Sequence, residues 1–114
     1  MSEATDLVDR QIQAFRDRDV DRFLSFYAED VKIRDFDGNV LMDGHEGMRG
    51  MYGPLFRDSP ELRVANPSRI VSEAYVVDEE DISGFNLAGF PPAMRAVVVY
   101  RLRDGLIQDV VFLL

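Results

Sequence analysis

At Pro60 the hydrophobic period of the chain changes. Before it, apolar residues recur every three or four positions, as on one face of a helix. After it, they alternate with polar residues, as on a strand. A chain that is helical first and stranded afterwards has few ways to bury both patterns. The order reads as α+β: three N-terminal helices covering one face of a strongly curved antiparallel sheet.

The helical half divides into three. Val8, Ile12 and Phe15, with Leu7 beside them, predict a first helix over residues 5–16. Asp19 is a good N-cap for a second, in which Val20, Phe23, Leu24 and Tyr27 follow the i, i+3, i+4, i+7 pattern. "AEDV" ends it and leads into a strand from Val31, and "DFDGN" turns the chain back into a short strand over 39–42. Asp43 stands three residues before Glu46, a capping-box spacing that opens a third helix. Met48, Met51, Tyr52, Leu55 and Phe56 form its apolar stripe. Gly47, Gly50 and Gly53 each weaken it by roughly 1 kcal/mol relative to alanine, and Pro54 is awkward within it. This helix therefore depends on packing.

The stranded half predicts strands over about 61–72, 74–84, 93–103 and 106–114. "RDG" at 103–105 is a tight hairpin turn, and "GFNLAGFPPA" is a longer loop carrying Phe85 and Phe90. "AVVVY" is apolar on both faces, as in a strand covered on both sides. Val97, Val99, Val111 and Leu113 point away from the helices and need their own cover, which a symmetric homodimer supplies most simply.

Composition narrows the function. The 114 residues suit one domain, 1–114. Cysteine is absent, which excludes disulfides, thiolate metal sites and a cysteine nucleophile. His45 is the only histidine, so histidine-rich metal sites are excluded too, and no cofactor or metal is expected. A net charge of −8 argues against nucleic acid as a partner. There is no apolar run long enough to span a membrane, and "MSEATDLVDR" has no hydrophobic signal core, so cytoplasmic residence is the default expectation.

Candidate site residues come from strand phase. In "VKIRDFDG", Asp35 continues the apolar row of Val31 and Ile33. It is either an acid or base turned into a pocket, where burial would raise its pKa, or a turn aspartate bonded to backbone amides. Asp78 and Glu80 share a face with Val76 and Ile82. If the 84–93 loop sets the pairing, they lie across from Ala96 and Val98 on the concave side; a one-residue slip puts them in solvent. Arg69 and Arg95 precede the apolar centres of their strands, where either could neutralise an acid, hold an anion, or form a surface pair. Tyr27, Tyr52 and Tyr100 lie on apolar faces as core residues, with Tyr27 and Tyr52 able to offer a donor to a ligand. His45, at the start of the third helix, is expected to be exposed.

"RDVDRFLSFYAEDVKIRDFDG", "GHEGMRGMY", "RIVSEAYVVDEE" and "VVVYRLRDGLIQDVVFLL" together resemble a nuclear transport factor 2-like domain of the SnoaL-like and ketosteroid-isomerase type over nearly the whole chain. The resemblance implies a cone with a deep, mostly apolar pocket, and it places Asp35 where ketosteroid isomerases keep their catalytic aspartate. In those enzymes an aspartate base moves a proton while a tyrosine and a protonated aspartic acid stabilise the oxyanion. Here the tyrosine position reads Gln11 and the aspartic acid position Val98. The expected protein thus binds a small hydrophobic molecule through Tyr27, Tyr52, Asp78, Glu80, Arg95 and Val98. If it is an enzyme, it transfers a proton in an isomerase- or cyclase-like reaction with Asp35 as base. The alternatives are a non-catalytic binding module and a protein-interaction domain of the same fold.

Overall fold

A computed structural model describes residues 3–114. Helix α1 (Glu3–Arg16) buries Val8, Ile12 and Phe15, and also Gln11, on its inner face. Helix α2 (Val20–Ser25) starts where Asp19 accepts a hydrogen bond from the Arg22 amide at 3.1 Å. Strand β1 (Tyr27–Asp35) follows at once, so Tyr27 opens a strand and does not extend the helical stripe. The cause is local. The Phe26 amide closes the last turn of α2, and the Phe26 carbonyl accepts from the Ile107 amide at 3.0 Å, which draws the next residue into the sheet.

Strand β2 (Val40–Asp43) returns antiparallel to β1 and runs into helix α3 (Gly44–Asp58), which continues through Pro54. The expected capping box does not form. Asp43 makes no side-chain cap; its carboxylate is drawn to Lys32, its cross-strand partner. Four strands complete the chain: β3 (Arg63–Val71), β4 (Tyr75–Ser83), β5 (Ala93–Arg103) and β6 (Leu106–Leu113).

The six strands form one sheet in the order β2-β1-β6-β5-β4-β3. Every neighbouring pair is antiparallel except β1 and β6, which run parallel. Helix α1 lies over β3 and β4, and α3 over β1 and β2. The core fills the space between. The β4–β5 register sets Asp78 opposite Val98 and Glu80 opposite Ala96. On the outer face, Ile70, Val77, Val99 and Val111 form one cross-strand row.

The 84–92 loop is tied down at one end. Gly84 has φ +82°, and a Cβ there would fall 2.1 Å from the Glu61 carbonyl oxygen, so only glycine fits. The Asn86 amide donates to the buried Ser59 hydroxyl at 2.9 Å, and the Asn86 side chain to the Asp58 carbonyl. Phe85 and Phe90 stack on each other, ring centroids 5.6 Å apart.

Candidate functional site

Between the helices and the concave face of the sheet lies a cavity of about 290 Å³. Phe15, Phe23 and Tyr52 form its helical wall, with Phe23 and Tyr52 in edge contact at 4.8 Å. Ile33, Ala96, Val98 and Val110 form its sheet wall, and Phe85, Phe90, Met94 and Leu114 also line it. Such a lining takes up apolar molecules by excluding water, and the volume is close to the lower end of the usual range for small-molecule sites, about 300 Å³.

Among the described residues, Glu80 is the one acidic side chain that lines this space. Glu80 is 6% exposed, and its Oε2 accepts a 2.7 Å hydrogen bond from the Tyr100 hydroxyl. The Tyr100 oxygen accepts from Gln11 Nε2 at 3.2 Å, and Gln11 Oε1 accepts from the Tyr27 hydroxyl at 2.7 Å. Four elements thus supply one chain of hydrogen bonds: Tyr27 from β1, Gln11 from α1, Tyr100 from β5 and Glu80 from β4. Burial pushes the Glu80 carboxyl up to about 7; the Tyr100 hydrogen bond and the Arg69 cation oppose this, and the Asp78 charge adds to it. Burial also raises Tyr27 and Tyr100 well above the ordinary phenol value. Tyr52 is raised by burial and then by the Glu80 charge. All three phenols stay protonated and able to donate. Among the described residues the Tyr52 hydroxyl, alone of these three, makes no hydrogen bond within the protein.

Beside Glu80 sits a closed ion cluster. Asp78 is fully buried, and Arg69 grips it with two bonds, Nε to Oδ1 at 2.6 Å and NH2 to Oδ2 at 2.9 Å. The remaining Arg69 nitrogen donates to Asp9 of α1 at 2.6 Å. The Asp78 bond raises the Arg69 guanidinium above its already high ordinary value. Asp78 shares the inner face of β4 with Glu80, but Arg69 occupies both its oxygens and it does not line the cavity.

The structure sorts the other sequence candidates. Tyr27, Tyr52, Glu80 and Val98 line the cavity. Arg95 does not: it is on the outer face, bound to Asp81 at 2.6 Å and near Glu79. The reason is strand phase, since Arg95 pairs with Asp81 and so points opposite to Ala96. Asp35 is a second correction. It pairs with Phe112, which lines the cavity, but its carboxylate bends back to the turn. It accepts from the amides of Asp37 and Asn39 and from the Asn39 side chain, each at 2.9 Å. The Asn39 side-chain bond is the chief reason its pKa falls below the usual carboxylate range. Three donors at the last residue of a strand outcompete an apolar interior for a charge. His45 is half-buried and meets the Tyr27 carbonyl at 2.8 Å.

Sequence reasoning missed the linking role of Gln11 and Tyr100. A glutamine on an otherwise apolar helix face was the available signal, since a buried amide needs partners. Among the described residues, no cluster of three or more metal-ligating side chains occurs, and no helix is long and apolar enough to cross a membrane.

No curated protein sequence matches the chain. Solved structures do. A cystatin-fold protein from Novosphingobium aromaticivorans is 24% identical with a TM-score of 0.85, over 98% of this chain and 97% of that one. TerC co-crystallised with polyporic acid is 22% identical with a TM-score of 0.76, over 97% and 90%. A ketosteroid isomerase-like-fold protein from Catenulispora acidiphila, in complex with trimethylamine, is 17% identical with a TM-score of 0.70, over 93% and 82%. At these identities the likeness speaks for the fold. A family model described as a SnoaL-like domain matches residues 8–110. That match covers most of the chain and shows that it belongs to the SnoaL-like domain family.

Proposed function

We propose that the cavity takes up a small, mostly apolar molecule bearing a carbonyl or hydroxyl, and that Glu80 exchanges a proton with it. One observation carries this reading: an almost fully buried carboxyl, poised near neutral pH, lines an apolar cavity with only one of its oxygens engaged by the protein. As the carboxylate, Glu80 takes a proton from the carbon beside a ligand carbonyl. The electron pair moves onto the carbonyl oxygen, and the Tyr52 hydroxyl stabilises it by donating a hydrogen bond. If Glu80 first trades the proton with solvent, delivery to the same carbon gives exchange, and delivery to a conjugated carbon gives isomerisation. The Asp35 carboxylate, occupied by its turn, is left with a structural part.

Two probes test this through opposite pH dependence. 2-Naphthol donates a hydrogen bond, so it binds the ionised carboxylate better and its affinity rises as pH passes upward through about 7. 2-Tetralone accepts one, so it binds the protonated acid better and its affinity falls over the same window. Fluorescence or calorimetric titration between pH 5.5 and 8.5 should show about a tenfold change in each direction, about 1.4 kcal/mol. Glu80→Gln should flatten both. Flat profiles in the unaltered protein would sink the reading.

We also infer that the protein is a homodimer joined through the outer sheet face. The row Ile70, Val77, Val99 and Val111 is apolar, and the charges beside it are already paired: Arg101 and Arg34 with Asp109, and Arg95 with Asp81. Two copies of such a face meet without like-charge repulsion. Sedimentation at micromolar concentration should give twice the mass of one chain, and Val99→Lys should halve it; a monomeric unaltered protein refutes the inference.

A further inference from the structure

Glu80 can use either of two oxygens, and only one serves a ligand. The direction of the hydrogen bonds leading to it decides which. An ionised carboxylate only accepts, so the Tyr100 proton points to Glu80 Oε2. The Tyr100 oxygen is then free to accept, and Gln11 Nε2 donates to it. The Gln11 amide thereby turns its Oε1 to Tyr27, which donates. Each group has a single consistent role. Gln11 donates from its nitrogen to one phenol and accepts at its oxygen from another, and the amide carries these two functions at fixed, separate ends. It is 2% exposed, with the phenols of Tyr27 and Tyr100 as its partners.

We propose that Gln11 is a positioning residue: by holding the Tyr100 hydroxyl against Glu80 Oε2, it confines the proton that Glu80 gains and loses to Oε1, the oxygen left for a ligand. This deepens the reading of Glu80 as the proton-transfer group and rests on it. With Oε2 always an acceptor, the acid form carries its hydrogen on Oε1 and the base form offers Oε1 lone pairs. No rearrangement of the relay accompanies either change. Without Gln11, the Tyr100 hydroxyl loses the donor that fixes its direction, and Oε2 competes for the proton inside the core.

The groups around Glu80 leave this relay as the adjustable element. On its own strand Asp78 is neutralised by Arg69 of β3, which is itself held by Asp9 of α1. From α3, β1 and β5 the facing groups are the phenols of Tyr52, Tyr27 and Tyr100. Arg95 and Asp81 pair on the far side of the sheet.

The test is a double-mutant cycle read by carbon-13 NMR of the Glu80 side-chain carboxyl, with the resonance assigned by its loss in Glu80→Gln. Tyr100→Phe removes the hydrogen bond to Oε2 and should raise the Glu80 midpoint by about one pH unit. Gln11→Met should raise it by about half a unit or more in the unaltered background and leave it unmoved in the Tyr100→Phe background. Equal shifts in both backgrounds, or none in either, overturn the proposal. Should Gln11→Met fail to fold, Tyr27→Phe removes the bond that orients the Gln11 amide. It should give a smaller upward shift, absent in the Tyr100→Phe background; an unmoved midpoint overturns the proposal. The NMR midpoint needs no turnover. An intact Gln11 effect with no exchange of a ketone's α-protons would therefore separate failure of the proton-transfer reading from failure of this one.

Discussion

Replacing Arg69 with methionine should destabilise the protein by about 3–5 kcal/mol, the usual cost of stranding one member of a buried pair. Asp78 is fully buried and sits amid the hydrophobic contacts of β4 and β5, where its ladder partner is Val98. Both its oxygens are held by the guanidinium, and the same guanidinium ties α1 to the sheet through Asp9. Methionine fills similar volume and leaves a carboxylate with no counter-charge in a medium that solvates it poorly. The double replacement Arg69→Met with Asp78→Leu removes both charges and should recover most of the loss, because a well-packed apolar pair often equals a buried ionic one. Asp9→Ala should cost less than about 1 kcal/mol, since that carboxylate is largely exposed. Urea unfolding measures all three. A loss under about 1 kcal/mol for Arg69→Met would show that Asp78 is not held as described.

Glu80→Gln should have the largest functional effect. It keeps shape and can still accept from Tyr100, but it cannot take a proton. Exchange of the α-protons of 2-tetralone in heavy water, followed by proton NMR, should fall by about 10²–10⁴-fold, the usual worth of a positioned base. Equal exchange in the variant would remove Glu80 from the chemistry. Exchange absent from both, with 2-tetralone bound, would make the protein a binding module.

The same substitution should stabilise the fold at neutral pH. The carboxyl titrates at about 7 in the folded chain and near its ordinary 4.5 when unfolded. Below 4.5 both states are protonated and the group contributes nothing. Between 4.5 and 7 the unfolded state has lost the proton that the folded state keeps, so stability falls as pH rises. The deficit reaches about 3 kcal/mol above pH 7. Glutamine carries no such deficit, so its advantage over the unaltered protein should grow from pH 5 to pH 7.5 and then level. A site that costs stability in its working form is a common signature of function.

The sequence made the frame readable because burial writes a period into it. Val8, Ile12 and Phe15 could only be a helix face, and the four later strands fall within a residue or two of their expected bounds. Two kinds of information were not local. Tyr27 fits a helical stripe and a strand equally well, and the contact that decides is with Ile107, eighty residues later. Asp35 and Glu80 presented the same puzzle, a carboxylate in an apolar row, and resolved oppositely. Asp35 ends its strand next to three willing donors, whereas Glu80 lies mid-strand, where no turn is within reach. The link through Gln11 exists only after α1, β1, β4 and β5 have docked, so no spacing along the chain announces it.

The parallel seam between β1 and β6 has a consequence for how the chain is made. β1 is finished at Asp35, and its neighbour does not begin until Leu106. At about 5–20 residues per second, a ribosome takes several seconds to supply it. During that interval β1 has only the four-residue β2 beside it, and its other edge lies open to any stray strand. Closing so distant a seam is also a slow step in refolding. The nascent protein is therefore most vulnerable to misassociation before the eight-residue β6 emerges, and helper proteins that shield open strand edges should raise its yield more than those that act on finished folds.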